Sequence, residues 1–275
     1  MPASLTTLSQ SSLQDYVDCA RRFQLRYIDR LSYPAAESEP ALENEKHQQE
    51  GEYFHRLVQQ YLIGIPAEQI SKLANKVNLQ RWWENFLADK DLRGLKDLGG
   101  LYAEATLSAP LGNFRLLAKY DLIAIQNNKA TIYDWKTYRK RPRNEFLKAR
   151  MQTRVYSALL VHAAAHLNNN KPFEPEQVEM VYWFSDFPDD PARFAYNSAQ
   201  YKRDWDLLLK LSDEIKTASS FPLTDDRTKC LYCPYRSYCE RGVRAGDMDQ
   251  ADPQGEMEAE ELFDVNFEQI GEIAF

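Results

Sequence analysis

The chain of 275 residues carries 34 Lys and Arg against 41 Asp and Glu, a formal charge of −7, with 44% hydrophobic and 12% aromatic residues. That composition supports a packed core and excludes a disordered chain. No run of about eighteen apolar residues occurs, and the start MPASLTTLSQ lacks the basic and apolar regions of a secretory signal, so no membrane contact is expected and a cytoplasmic protein with reduced thiols is.

In chain order, SQSSLQDYVDCARRFQLRYI (9–28) predicts a helix, with Ser9, Ser11 or Ser12 as cap and Leu13, Tyr16, Val17 and Ala20 as apolar stripe. Pro34 and Pro40 interrupt it, and helices follow over 43–64 and 79–89. The period then changes, and 101–110, 113–126 and 129–138 alternate as strands. A long helix over 144–168, strands over 177–186 and 192–197, and a helix over 198–218 complete the pattern. Helices around four or five central strands predict one α/β domain over 1–245, with a helical flank over about 1–100. Residues 245–275 hold ten Asp or Glu and no Lys or Arg, so the ten tail charges conceal a body of +3. The segment 246–275 reads as a flexible acidic tail, a docking peptide, or a competitor of nucleic acid for a basic surface.

The segment NFRLLAKYDLIAIQNNKATIYDWKTY carries the chemistry. Asn127-Asn128 suits a two-residue hairpin turn, because Asn tolerates positive φ. The turn fixes a register that sets Asp121 directly opposite Asp134. Two facing carboxylates destabilise a sheet unless a cation lies between them, and hard divalent cations prefer oxygen ligands. Lys136 shares a strand face with Asp134. A cation, two carboxylates and an ammonium in one patch suit phosphodiester hydrolysis. A solvated Asp134–Lys136 pair on an edge hairpin is the plainer alternative.

Arg139, Lys140, Arg141, Arg143, Lys148, Arg150 and Arg154 follow this hairpin as a candidate phosphate-binding run, with a solvated basic loop as the alternative. Tyr133, Trp135 and Tyr138 are candidate base-stacking groups or core. Cys230, Cys233 and Cys239, with the distant Cys19, are all the cysteines present. In a reduced compartment they are metal ligands rather than disulfides, and four thiolates suit either Zn²⁺ or an iron–sulfur cluster.

In this setting the residues resemble the RecB-like branch of the PD-(D/E)XK nucleases. Asp121 and Asp134-Trp135-Lys136 match its Asp and D-x-K. Gly51-Glu52-Tyr53-Phe54-His55 matches G-x-x-x-H, and Gln152 with Tyr156 matches Q-x-x-x-Y. Glu104 matches an upstream strand glutamate of open role. AKYD departs from the family, which often has Gly in the turn before the first Asp.

The resemblance implies a restriction-endonuclease-like central mixed sheet flanked by helices, with a C-terminal cysteine-bound metal clasp. It also implies Mg²⁺ or Mn²⁺ held by His55, Asp121, Asp134 and the Trp135 carbonyl, with Lys136 as catalytic lysine and Gln152 and Tyr156 at the substrate. The spacing of Cys19, Cys230, Cys233 and Cys239 resembles AddB-type and CRISPR-associated nucleases. This implies a [4Fe–4S] cluster, with zinc as alternative occupant, clasping the two ends of the chain. The expected activity is exonucleolytic cleavage of single-stranded DNA in repair or CRISPR adaptation, leaving 5′-phosphate and 3′-hydroxyl ends. The alternative is a non-catalytic or partner-dependent DNA-binding subunit of a helicase or integrase complex. No G-x-x-x-x-G-K-[ST] loop occurs, so no ATPase of its own is expected.

Overall fold

The computed structural model describes residues 5–31 and 39–242, and the acidic tail expected over 246–275 lies outside them. Strand β1, Thr7–Ser9, runs directly into helix α1, Gln10–Asp18. Ser9 caps α1 in a reciprocal box with Ser12, satisfying donors that the first turn leaves over. The expected continuous helix over 9–28 does not form. The backbone turns extended at Cys19 (φ −161°, ψ 104°), and the chain resumes as α2, Ala20–Phe23, and a π turn over Gln24–Ile28.

Helix α3, Glu39–Leu62, and α4, Ala67–Ser71, lead to α5, Val77–Ala88, and the short α6, Lys90–Gly94. Strands β2, Leu101–Leu111, β3, Phe114–Gln126, and β4, Lys129–Lys136, form a meander. The expected helix over 144–168 is also broken. It divides into α7, Asn144–Ala149, and α8, Met151–Ala163, at an extended Arg150 (φ −63°, ψ 147°). Strands β5, Val178–Phe184, and β6, Ala192–Ala195, precede α9, Ser198–Thr217. Among the described residues no helix is long and apolar enough to cross a membrane.

The six strands form one mixed sheet. Asn127 and Asn128 have φ of 50° and 59°, the paired left-handed turn that matches strand twist, and the predicted register runs from Gln126↔Lys129 to Leu122↔Tyr133. Strand β2 pairs β3 antiparallel along one edge. The other edge is divided: β1 pairs parallel with Arg115–Leu117, and β4 begins at Leu122. Among the described residues, 118–121 of β3 therefore have no strand partner on that edge, and the sheet opens there.

Each sheet face carries its own core. One is packed by α8 and α9 around Leu116, Tyr120, Ile132 and Tyr182, the other by α3 and α5 around Leu122, Trp135 and Trp183. Along β3, Ala118 and Tyr120 belong to the first core and Leu122 and Ala124 to the second. Strict alternation would put all four on one face, so the pleat slips by one residue at Asp121. The same slip occurs in β2 between Ala103 and Ala105, at Glu104, whose φ is 55°.

Helix α3 lies tight against the end of β4. His47 Nε2 is 2.8 Å from the Thr137 carbonyl oxygen, and a Cβ added to Gly51 would stand 2.8 Å from Thr137 Oγ1. Thr137 is buried, so the clash has little room to relax. Gly51→Ala should cost about 1–3 kcal/mol by over-packing. It should also lift α3 from the sheet one turn before His55. Urea unfolding would read the first effect, and faster amide exchange along α3 the second.

Candidate active site

The opening at residues 118–121 is the floor of a cavity of about 420 Å³. His55, Asp121, Asp134, Trp135, Lys136, Gln152 and Tyr156, all singled out in the sequence, line it, as does Glu104. Strand β3 presents Asp121 and β4 presents Asp134 and Lys136. His55 comes from α3 on one face of the sheet and Gln152 from α8 on the other. Sites at strand edges need such convergence, because one face supplies only every second residue of a strand.

The carboxylates are held separately. Asp121 Oδ2 accepts the Trp135 backbone N–H at 2.9 Å and lies 3.3 Å from His55 Nδ1. Asp134 Oδ2 accepts from Gln152 Nε2 at 2.6 Å, and its Oδ1 lies 2.9 Å from Lys136 Nζ. Lys136 stands over two rings, 5.6 Å from the Tyr138 centroid and 5.9 Å from that of Tyr182, contacts that attract its ammonium. Tyr156 plays a different part. Its hydroxyl donates to the Lys119 carbonyl at 2.7 Å, and its ring packs 4.6 Å from Tyr120, so it fixes the unpaired stretch of β3.

Environment separates these groups by ionisation. Burial, reinforced by the Asp121 charge and only partly offset by Lys136, raises Asp134 to about 6. Burial also works against a charged Asp121, yet His55 and the Trp135 N–H overcome it and leave Asp121 lowered. For His55, burial opposes the cation, and the Asp121 ion pair with the Asp134 charge outweighs it, raising the ring to about 9. The site thus sets a raised carboxyl, Asp134, beside a lowered one, Asp121, with the raised imidazole of His55 paired to the second. Among the described residues, no three His, Cys, Asp or Glu side chains form a group able to hold a metal ion as they stand. The oxygens a cation would take are engaged by His55, Lys136 and Gln152.

One expectation is corrected and two open readings are narrowed. The β3–β4 ladder ends one pair before Asp121 and Asp134, because the pleat slip at Asp121 takes it out of the alternation. Tyr133, Trp135 and Tyr138 are core residues, at most 9% exposed, and do not offer stacking faces. Three arginines of the basic run are engaged with acidic residues of distant segments: Arg141 pairs with Asp190, Arg154 with Asp204, and the buried Arg150 lies 3.9 Å from Asp18.

The cations that line the cavity are Arg26, Arg56, Lys119 and Lys136. Lys119 was legible in retrospect, since it precedes Asp121 by two positions on the same strand. It forms an ion pair with Glu104. Arg56 directly follows His55 and is exposed, with no hydrogen bond or ion pair to any described residue.

All four cysteines have free thiols and line one small cavity of about 20 Å³ at the meeting of the two chain ends. Arg22, Lys229, Arg236 and Arg241 line it too. The ends are joined by the Arg21 N–H donating to the Pro222 carbonyl at 3.1 Å and the Tyr235 hydroxyl donating to the Leu31 carbonyl at 3.0 Å. Burial raises the Cys230 and Cys239 thiols and pushes Cys233 up to about 12.

No curated protein matches the chain. Among solved structures, the protein named SSO0001 is similar at 16% identity and a TM-score of 0.42, over 88% of this chain and 89% of that one. A proposed exonuclease from Eubacterium rectale is similar at 11% identity and a TM-score of 0.47, over 76% of this chain and 80% of that one. Residues 7–240 match the model of the PD-(D/E)XK nuclease superfamily, and the chain belongs to that superfamily.

Proposed function

We propose that the chain is a divalent-cation-dependent deoxyribonuclease that acts as an exonuclease on single-stranded ends. The observation that carries this reading is the convergence of Asp121, Asp134 and Lys136 with His55 and Gln152 in one cavity. Asp121, Asp134, the deprotonated His55 ring and the Trp135 carbonyl would hold Mg²⁺ or Mn²⁺. The donor set fits, being carboxylate-rich and already drawn to one opening. When bound, the cation supplies a Lewis acid for the phosphate and lowers the pKa of a water.

The chain's own residues do the rest. Lys136, seated over Tyr138 and Tyr182, holds a positive charge beside the attacked phosphate and orients the nucleophile. Gln152 holds the Asp134 carboxylate in one orientation through its 2.6 Å bond. Arg56 and Lys119 line the approach as phosphate contacts. The test is cleavage of single-stranded DNA labelled separately at each end, in Mn²⁺, Mg²⁺ and EDTA. Asp134→Ala and Lys136→Ala should each lower kcat by at least about 100-fold. Label released as mononucleotide from one end gives the polarity, and cleavage that survives both substitutions rejects the site.

His55 sets a pH signature for the metal-free protein. Its folded pKa of about 9 exceeds the unfolded 6.5, so the pair with Asp121 stabilises fully below about 6.5. That contribution is lost as pH rises through about 9. In EDTA, the melting temperature of the wild type should fall between these pH values more steeply than that of His55→Gln.

We further propose that Cys19, Cys230, Cys233 and Cys239 hold a [4Fe–4S] cluster. Four thiols on one cavity suit a tetrathiolate site, and Arg236 and Arg241 line it beside Arg22 and Lys229, which are shared with Asp18. The small cavity, about 20 Å³, favours Zn²⁺ as the second reading. Metal and sulfide analysis of aerobically and anaerobically purified protein separates the two. Cys19→Ala should lose the metal and melt lower. Equal metal content and melting would reject the clasp.

A further inference from the structure

The two helix breaks that the sequence does not announce, at Cys19 and Arg150, are linked through Asp18, which precedes the first and lies 3.9 Å from the second. Helix α8 begins at Met151 with Arg150 as its N-cap, and Arg150 gives it no side-chain hydrogen bond. A first-turn N–H has no partner within its own helix, and this one is buried away from water. The acceptor comes from α1: Gln14 Oε1 takes the Met151 N–H at 3.0 Å. The other end of the same amide donates to Asp18 Oδ2, also at 3.0 Å. Only one orientation of the Gln14 amide satisfies both neighbours, one a donor and the other a carboxylate.

Asp18 is the junction of this arrangement. Its carboxylate is 3.2 Å from Arg22 Nη2 and 3.9 Å from Arg150 Nη1, at the start of α8. On the other side it is 3.2 Å from Lys229 Nζ, one residue before Cys230. Its own neighbour is Cys19. The residue after Met151 is Gln152, which donates to Asp134 at 2.6 Å.

We infer that Gln14 and Asp18 are positioning residues for the reaction: they fix the first turn of α8, and with it the reach of Gln152 to Asp134. Lys229 ties the cysteine loop to the same carboxylate. The clasp at the chain ends is thereby joined to the reacting carboxylate by an unbroken series of polar contacts, Lys229–Asp18–Gln14–Met151, and then by the helix itself. The inference deepens the nuclease reading and rests on it.

The test is a double-mutant cycle between Gln14→Met and Gln152→Leu, with amide exchange as a second readout. Gln14→Met keeps the side chain's length and removes both hydrogen bonds. Alone it should lower kcat about tenfold with KM changed less than about twofold. In the Gln152→Leu background it should lower kcat no further, because its effect passes through Gln152. The Met151 amide should exchange at least about tenfold faster in Gln14→Met and in Asp18→Asn, while the amides of α9 keep their rates. If Asp18→Asn does not fold, Gln14→Met carries the test. Additive losses in the cycle, or an unchanged Met151 rate, would overturn the inference. Absence of DNA cleavage by the wild type would instead overturn the nuclease reading, and the exchange measurement would then decide the positioning alone.

Discussion

The arrangement depends on keeping Asp134 charged where only 3% of the residue reaches solvent. An ionised carboxylate taken out of water is costly unless it is paired and hydrogen-bonded. Here the compensation comes from two layers: Lys136 on its own strand, and Gln152 from the helix across the face. Asp121 sits close enough to raise Asp134 further, so it needs its own partners, and His55 and the Trp135 N–H supply them. Each carboxylate therefore has private support. The partners of Asp121 hold its carboxyl low, while burial leaves that of Asp134 raised.

That constraint explains the sheet. A regular β3–β4 ladder would leave Asp121 and Asp134 facing each other as like charges. Instead β4 leaves β3 after Leu122, and β1 takes up the same edge only at Leu117 and before. The pleat slips at Asp121 and, on β2, at Glu104, whose left-handed backbone is strained for a residue with a side chain. Strain of this kind persists where neighbours over-determine it. Here the Glu104–Lys119 ion pair and the Tyr156–Lys119 bond hold the distorted stretch from both sides.

The hairpin register was legible because Asn127-Asn128 fixes a turn and alternation fixes the rest. The catalytic candidates were legible because they sit at short strand and helix spacings. The slip was not, since it leaves the apolar pattern of LAKYDLIAI almost intact while moving residues between two equally apolar cores. The three-residue β1 is too short to show a period. The helix breaks at Cys19 and Arg150 were hidden for a related reason: both lie in sequences with helical periodicity and no Gly or Pro, so only tertiary contacts stop the helices. The partners of Arg141, Arg154 and Arg150 were not legible, because charge in sequence says nothing of partners in space, and Asp190, Asp204 and Asp18 come from distant segments.

The two faces solve the same problem in opposite ways. On the α3 face, His55 reaches Asp121 because Gly51 removes a side chain and lets the helix settle against Thr137. On the α8 face, Gln152 reaches Asp134 because Gln14 adds a side chain, supplying from α1 the acceptor that α8 lacks at its start. The first contact is tuned by the absence of a methyl group beside the His47–Thr137 bond, the second by the directional hydrogen bond from the Met151 N–H to Gln14. Packing of the first kind sets distance but tolerates small rotations. Hydrogen bonds of the second kind also fix rotation about the helix axis. The difference follows the demand: an imidazole beside a carboxylate needs proximity, whereas an amide held at 2.6 Å must also present its N–H rather than its oxygen.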